Sequence, residues 1–165
     1  MNKIMLLYIL PVVGAGLLLA PLSTSAQSGG PKIATVSAVS KPASVVRGGK
    51  GVLFVTVSVK PNYHINANKP NDPDYIATVF TVQPVSGVQF GPAHYPAAKL
   101  VKVSYSPKPL LVYMGQATLS IPFTVTKAAA PGMKMLTGSV SYQGCNATSC
   151  YPPTSAPVTV RVTVK

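Results

Sequence analysis

The sequence has no Glu, no Trp and only two acidic residues, Asp72 and Asp74. Chemistry built on paired carboxylates would have to use those two side chains, two positions apart. A calcium or magnesium site lacks charged oxygen ligands. No spaced Cys/His set for zinc is present. Ser is abundant, but no nucleophile-elbow motif supports hydrolase chemistry. Charged residues make up only 10% of the chain, and 17 Pro and 13 Gly are scattered through it. That composition disfavours long helices and favours an all-β chain. Against the two acids stand fourteen Lys and Arg, a formal charge of +12. The charge suits acidic partners or surfaces and keeps the protein soluble. The Lys are spread singly with no basic run, so a nucleic-acid role has little support.

The beginning of the chain has the layout of a secretory signal peptide. Met1-Asn2-Lys3 is a short positive start, residues 4–20 are nearly all apolar, and Thr24-Ser25-Ala26 supplies small residues before Gln27. Cleavage is expected after Ala26, which makes 1–26 the signal and 27–32 a flexible lead-in to a domain over 33–165. The competing reading is a transmembrane anchor, since a span needs roughly 17 to 25 apolar residues. No Cys follows the apolar run to carry a lipid, and no later segment is long and apolar enough to span. The mature form is therefore expected not to cross a membrane and to be periplasmic or secreted. Thirteen Lys and Arg against two Asp leave it a formal charge of +11.

The remaining residues read as strands. Leu53, Val55, Val57 and Val59 alternate with Phe54, Thr56, Ser58 and Lys60. The same period of two runs through Ala117, Leu119, Ile121, Phe123 and Val125, and again through Val158, Val160, Val162 and Val164. Leu136, Val140 and Tyr142 continue the pattern. Each such strand buries one face and wets the other, as in an antiparallel sheet. Weaker strands are expected over 33–39, 76–83 and 100–104. Pro122, inside an otherwise regular strand, predicts an edge or a bulge. Seven or more short strands fit an immunoglobulin-like antiparallel β-sandwich.

Only two cysteines occur, Cys145 and Cys150, in Tyr142-Gln143-Gly144-Cys145-Asn146-Ala147-Thr148-Ser149-Cys150-Tyr151-Pro152-Pro153. Export places them where disulfides form, and the spacing allows the two sulfurs to meet. One reading is a structural staple. Closing so small a ring adds only about 2 kcal/mol, less than a bridge between distant strands. The other is a redox-active pair in an exposed turn. The spacing alone leaves both open.

The Tyr-Gln-x-Cys and Cys-x-Pro-Pro halves around this loop resemble the active-site segment of the N-terminal periplasmic domain of the thiol:disulfide interchange protein DsbD. Tyr63-His64-Ile65-Asn66-Ala67-Asn68-Lys69-Pro70 is similar to a segment of short, single-domain relatives. So is the order of Tyr95-Pro96 and Leu111-Val112-Tyr113 before a strand over 117–125. The resemblance covers residues 33–164. It implies an immunoglobulin-like sandwich that shuttles electrons by thiol–disulfide exchange. It also implies a membrane electron donor of the DsbD type, reduction by a thioredoxin-like domain, and thioredoxin-fold acceptors, including those serving disulfide isomerisation and cytochrome c maturation. By the same resemblance, Cys150 forms the mixed disulfide and Cys145 resolves it. No cofactor is implied.

The chain departs from that family in three respects. It stops at Lys165 with no transmembrane or thioredoxin-like domain, so electrons are expected from a separate protein. Its inter-cysteine loop is one residue shorter than in the best-known members. The family's cap loop, which carries acids beside an aromatic, should fall near residues 102–108, where no acid is present and Tyr105 is the aromatic available as a lid.

With no Lys, Arg or His between or beside the cysteines in sequence, unactivated thiols are expected, shielded when the protein is alone. Tyr142 and Tyr151 flank the pair and are candidate supporting residues. His64, without a second ligand nearby, reads first as a packing residue; it could instead lie beside the cysteines in space. Asp72 and Asp74 flank Pro73 as a turn. Asn146-Ala147-Thr148 matches a glycosylation sequon, a coincidental match inside so tight a loop. The rival chemistry is copper(I) held by Cys145, Cys150, His64, Met114, Met133 and Met135, with Met133 and Met135 near the cysteine loop. A plain secreted binding module with a structural bridge is a third reading.

Overall fold

The computed structural model describes residues 32–165, all of it strand, turn and loop. The signal-peptide reading and most of the lead-in lie outside the described residues. In chain order the strands are β1 (Ala34–Lys41), β2 (Ser44–Val45), β3 (Lys50–Val59), β4 (His64–Asn66), β5 (Val79–Val82), β6 (Val88–Phe90), β7 (Lys99–Val101), β8 (Leu110–Tyr113), β9 (Gln116–Val125), β10 (Gly132–Tyr142), β11 (Gly144–Cys145) and β12 (Thr154–Val164). They form three four-stranded sheets, ordered β1-β3-β9-β6, β2-β12-β10-β5 and β11-β4-β8-β7. The first two are the layers of an immunoglobulin-like sandwich. The chain passes from one layer to the other between β1 and β2, across a cis Lys41–Pro42 peptide. The third is a small sheet at one end.

The alternation in the sequence sets which side chains meet between the layers. Leu53, Val55 and Val57 of β3, Leu119, Ile121 and Val125 of β9, Leu136 and Val140 of β10, and Val162 of β12 are all fully or almost fully buried in one continuous core. Each contributes about 1.5–3 kcal/mol relative to exposure, and the β-branched majority suits the pleated surface.

Three expectations are adjusted. The strand expected over 76–83 shortens to Val79–Val82, because Ile76 is exposed and its backbone is held by the side chains of Asn66 and Gln143. The strand expected over 100–104 becomes Lys99–Val101, and the chain then leaves the sheet as a loop. Pro122 does not mark an edge strand, since β9 lies between β3 and β6; the irregularity is on the neighbouring segment, which has one extra residue between the Phe90–Phe123 and His94–Ser120 pairs. The Pro122 carbonyl accepts from Gly91 N just past the end of β6, and pairing resumes only at His94–Ser120. The missing proline N–H therefore falls where the neighbouring strand is interrupted.

The end sheet has two unlike faces. Pairing matches Gly144 with Ile65 and Ile65 with Tyr113, and matches Cys145 with His64 and Asn66 with Val112. Directly paired residues share a face. Ile65 and Tyr113 accordingly belong to the main core, whereas Val112 joins Leu110 and Val103 in a separate small cluster with Tyr75 and Tyr105 packed on it. Cys145, His64 and Asn66 sit on this second face.

Candidate functional site

Cys145 and Cys150 form a disulfide, with an S–S distance of 2.09 Å and a Cα–Cα separation of 4.0 Å. The bridge lies where β10 runs on into β11 at the end of the sandwich. The two cysteines differ in exposure: Cys145 is 0% exposed and Cys150 only half-buried, so Cys150 is the one that presents surface to solvent.

The four residues between them are ordered by one side chain. Asn146 Oδ1 accepts from Thr148 N at 2.9 Å and Ser149 N at 2.8 Å, and Asn146 N donates to Ser149 O at 2.9 Å. This is an Asx turn, the local bond Asn makes most readily. Asn146 Nδ2 donates to the Tyr151 hydroxyl at 3.1 Å, and Tyr151 N donates to Gly144 O at 2.8 Å. The loop is thus closed on itself at both ends. Gly144 is required for a packing reason. A Cβ there would lie 1.5 Å from Ile33 Cδ1, so the β11 backbone rests directly on a buried side chain from the start of the domain.

Gln143 connects the loop to the end sheet. Its Oε1 accepts from Asn66 Nδ2 at 3.0 Å and Ile76 N at 3.3 Å, and its Nε2 donates to Tyr151 O at 3.4 Å. Asn66 also donates to Ile76 O at 3.1 Å and is itself buried. Buried amides need such partners, because a lost bond costs about 1–3 kcal/mol.

A cap covers the second face of the sheet. Residues 102–109 reach the cysteine loop through Ser104, whose N and Oγ both donate to Ala147 O, at 3.3 and 2.9 Å. The Tyr105 hydroxyl lies 2.8 Å from His64 Nε2, and the two rings lie nearly parallel with centroids 6.4 Å apart. Tyr75 packs behind Tyr105, ring centroids 6.3 Å apart. Burial holds His64 below its ordinary value, which favours the neutral ring. Burial first, and then the neighbouring Tyr75, push the Tyr105 hydroxyl up to about 12.

The sequence-predicted residues divide accordingly. His64 and Tyr105 come together at the disulfide, 41 residues apart in the chain. Tyr151 clamps the loop and lies beside Tyr63. Tyr142 is buried in the main core, across from Thr154 on β12. Asp72 makes the expected turn, its Oδ1 accepting from Asp74 N at 3.0 Å. No Lys, Arg or His flanks the cysteines in sequence, but β4 carries His64 to a position directly opposite Cys145, the second of the two readings given for that residue. The placing of Met133 and Met135 near the cysteine loop is corrected. Both are exposed near the start of β10, and at about 3.3 Å per residue the strand carries them roughly 20–30 Å from its Tyr142 end. Among the described residues no group of three His, Cys, Asp or Glu could hold a metal ion. Sequence reasoning assigned no role to Gln143, Asn66, Asn146 or Ser104. For Asn146 the sequon drew attention to its Nδ2, while the Asn-x-Thr-Ser pattern is equally a turn signal.

Beside Tyr151, Pro152 and Pro153 a groove of about 910 Å³ opens, floored by Ile33, Val36 and Tyr142. The side of the site that follows Cys150 is thus open and mainly apolar. Among the described residues no helix is long and apolar enough to cross a membrane.

Comparison with curated proteins gives no match. Among solved structures, the N-terminal periplasmic domain of ScsB from Proteus mirabilis is similar at 16% identity and a TM-score of 0.53, over 76% of this chain and 45% of that one. The N-terminal domain of Neisseria meningitidis DsbD in the reduced form is 20% identical with a TM-score of 0.45, over 67% of this chain and 77% of that one. The chain thus spans less than half the length of the ScsB domain. The family model for the thiol:disulfide interchange protein DsbD, N-terminal, matches residues 32–161, which takes in both layers of the sandwich, the end sheet and the capped disulfide. The chain belongs to that family of DsbD N-terminal domains.

Proposed function

We propose that this protein is an extracytoplasmic electron shuttle that works by thiol–disulfide exchange through Cys145 and Cys150. The observation that carries the reading is the asymmetry of the disulfide: one cysteine fully buried, the other half-buried, beside a cap held by a few hydrogen bonds. Membership of the DsbD N-terminal family supports the same chemistry. A staple would gain little here, since so small a ring contributes only about 2 kcal/mol.

The exchange is balanced in two steps. In the reduced protein the Cys150 thiolate attacks one sulfur of a partner disulfide, forms a mixed disulfide and releases the partner's other sulfur as a thiolate. Cys145 then attacks the Cys150 sulfur, the Cys145–Cys150 bond forms, and the partner leaves as a dithiol. Two electrons and two protons pass to the partner. The partners are thioredoxin-fold oxidoreductases, among them those of disulfide isomerisation and cytochrome c maturation, and the donor is a membrane protein of the DsbD type. Residues 1–26 act as a cleaved signal, 27–32 as a lead-in, and 33–165 as the working domain in the periplasm or outside the cell.

The test is a redox titration of the purified protein in glutathione and dithiothreitol buffers, with Cys145→Ala to trap mixed disulfides through Cys150. The expected potential lies between about −270 and −180 mV, with a thioredoxin-fold protein trapped. A potential below about −300 mV and no trapped partner would make the bridge a structural staple.

A further inference from the structure

We propose that His64 accepts the proton of Cys145 when that thiol resolves the mixed disulfide on Cys150, with the Tyr105 hydroxyl holding the imidazole in place. The inference rests on the exchange reading above. It begins with a chemical problem. Cys145 is 0% exposed, and a thiol buried in this way ionises less readily than a free one. The second step of exchange nevertheless needs its thiolate. Water has no direct access to the sulfur, so the proton requires a protein acceptor.

The pairing of β11 with β4 supplies one. Cys145 and His64 are direct antiparallel partners, so their side chains project from the same face with Cβ atoms about 4.5–5.5 Å apart. The titratable groups on the elements packed around that face are few. From β11 there is Cys145 itself. From residues 102–109 there is Tyr105, whose hydroxyl is protonated throughout the working pH range and accepts no further proton. Tyr75 lies behind Tyr105. Lys102 and Lys108 of the cap are exposed, and Asp72 and Asp74 belong to the turn leading up to Tyr75, where an Asp72 oxygen already accepts from the Asp74 backbone. His64 is the base on this face.

The hydrogen bond to Tyr105 fits the role. His64 Nε2 and the Tyr105 oxygen lie 2.8 Å apart; in the proposed tautomer, Nε2–H donates to that oxygen and the lone pair of the neutral ring lies on Nδ1. Among the described residues no hydrogen-bond partner is seen for Nδ1, and burial favours the neutral ring, whose lone pair is then free. Nε2 is a donor both before and after protonation, so the Tyr105 bond persists through the transfer. In resolution the proton passes from Cys145 Sγ to Nδ1. The new Cys145–Cys150 bond forms as the Cys150–partner bond breaks, and the proton is then delivered to the departing partner thiolate. In this step Cys145 is oxidised, Cys150 passes from one disulfide to another, and the partner sulfur is reduced to the thiol.

The test follows reduced protein mixed with excess oxidised glutathione, in which mixed-disulfide formation and resolution are separate phases. The purified protein is used, from pH 5 to 9. For the unaltered protein the resolution rate should level off above the His64 titration, below pH 6.5. A rate that instead climbs steadily past pH 8 overturns the proposal without recourse to any variant. His64→Gln, which can still bond Tyr105, should slow resolution about 10²-fold at pH 7, restore a steady rise with pH, and be partly rescued by added imidazole. Tyr105→Phe should slow it less and keep the unaltered profile. A purely structural role would slow both phases in parallel and leave the pH profile unchanged, which also overturns the proposal. If neither phase occurs and Cys145→Ala traps nothing, it is the exchange reading that fails.

Discussion

On the facing surfaces of β3 and β9 the buried positions are filled by Leu53, Val55, Val57, Leu119, Ile121 and Val125. On the capped face of the end sheet Cys145, His64 and Asn66 are buried beside the small apolar cluster of Val112, Leu110 and Val103. Both surfaces are closed to water, but different forces close them. Between the layers the apolar area itself drives burial, is non-directional and needs no particular partner. At the end the buried polar side chains are kept because a named atom answers each: Asn66 by Gln143 and the Ile76 carbonyl, His64 by Tyr105. The body can therefore lose substance without altering the chemistry, whereas the end can lose one hydrogen bond and alter both.

The largest effect should come from the body. Leu119→Ala removes a side chain with 0% exposure at the centre of β9 and should cost about 3–4 kcal/mol in urea unfolding, by lost transfer energy and the cavity left behind. Under native conditions its exchange rate with oxidised glutathione should stay within twofold of the unaltered protein. A rate that fell in step with stability would break the distinction, because the end would then depend on the tightness of the core.

Gln143→Ala is the converse experiment and should cost less, about 2 kcal/mol. It takes one acceptor from Asn66 Nδ2, leaves Ile76 N without its bond, and frees Tyr151 O. Exchange should change despite the smaller loss of stability, because the same side chain ties the strand beneath the disulfide to the residue after Cys150. Urea unfolding and glutathione kinetics on one preparation check both halves. A variant that is destabilised but exchanges normally would show that the Gln143 network supports the fold alone.

The same contrast decides what could be read in the sequence. The long strands were legible because burial on one face writes a period of two over seven or more residues, as in 117–125 and 158–164. Even Pro122 was informative, though its gap lies in the neighbouring strand. The end sheet left no such trace. β4 and β11 have three and two residues, too few for any period, and all of β4 is buried on both faces. Its pattern His-Ile-Asn means one apolar residue toward the core and two polar ones toward the cap, which becomes apparent only once Cys145 is paired with His64 across 81 residues. The cysteines and the cap aromatic Tyr105 were found through motif and order. The base opposite Cys145 is set by long-range register, which local spacing does not encode.

The smallest effect is a slope. Burial lowers the folded-state pKa of His64 below its ordinary 6.5, so between the two values the unfolded chain binds more protons than the folded one. Stability from this residue is then fully present above about pH 6.5 and falls as the pH drops through 6.5, levelling off once the folded-state value is passed. One group limits the slope to about 1.4 kcal/mol per pH unit. Urea unfolding between pH 5 and 8 should show the decline in the unaltered protein and lose most of it in His64→Gln. Leu119→Ala, less stable throughout, should keep the slope intact, because the proton belongs to the end of the molecule and the missing methyl groups to its body. A slope that vanished with Leu119 and survived the loss of His64 would place the acid-sensitive group in the wrong region and undo the division between the two.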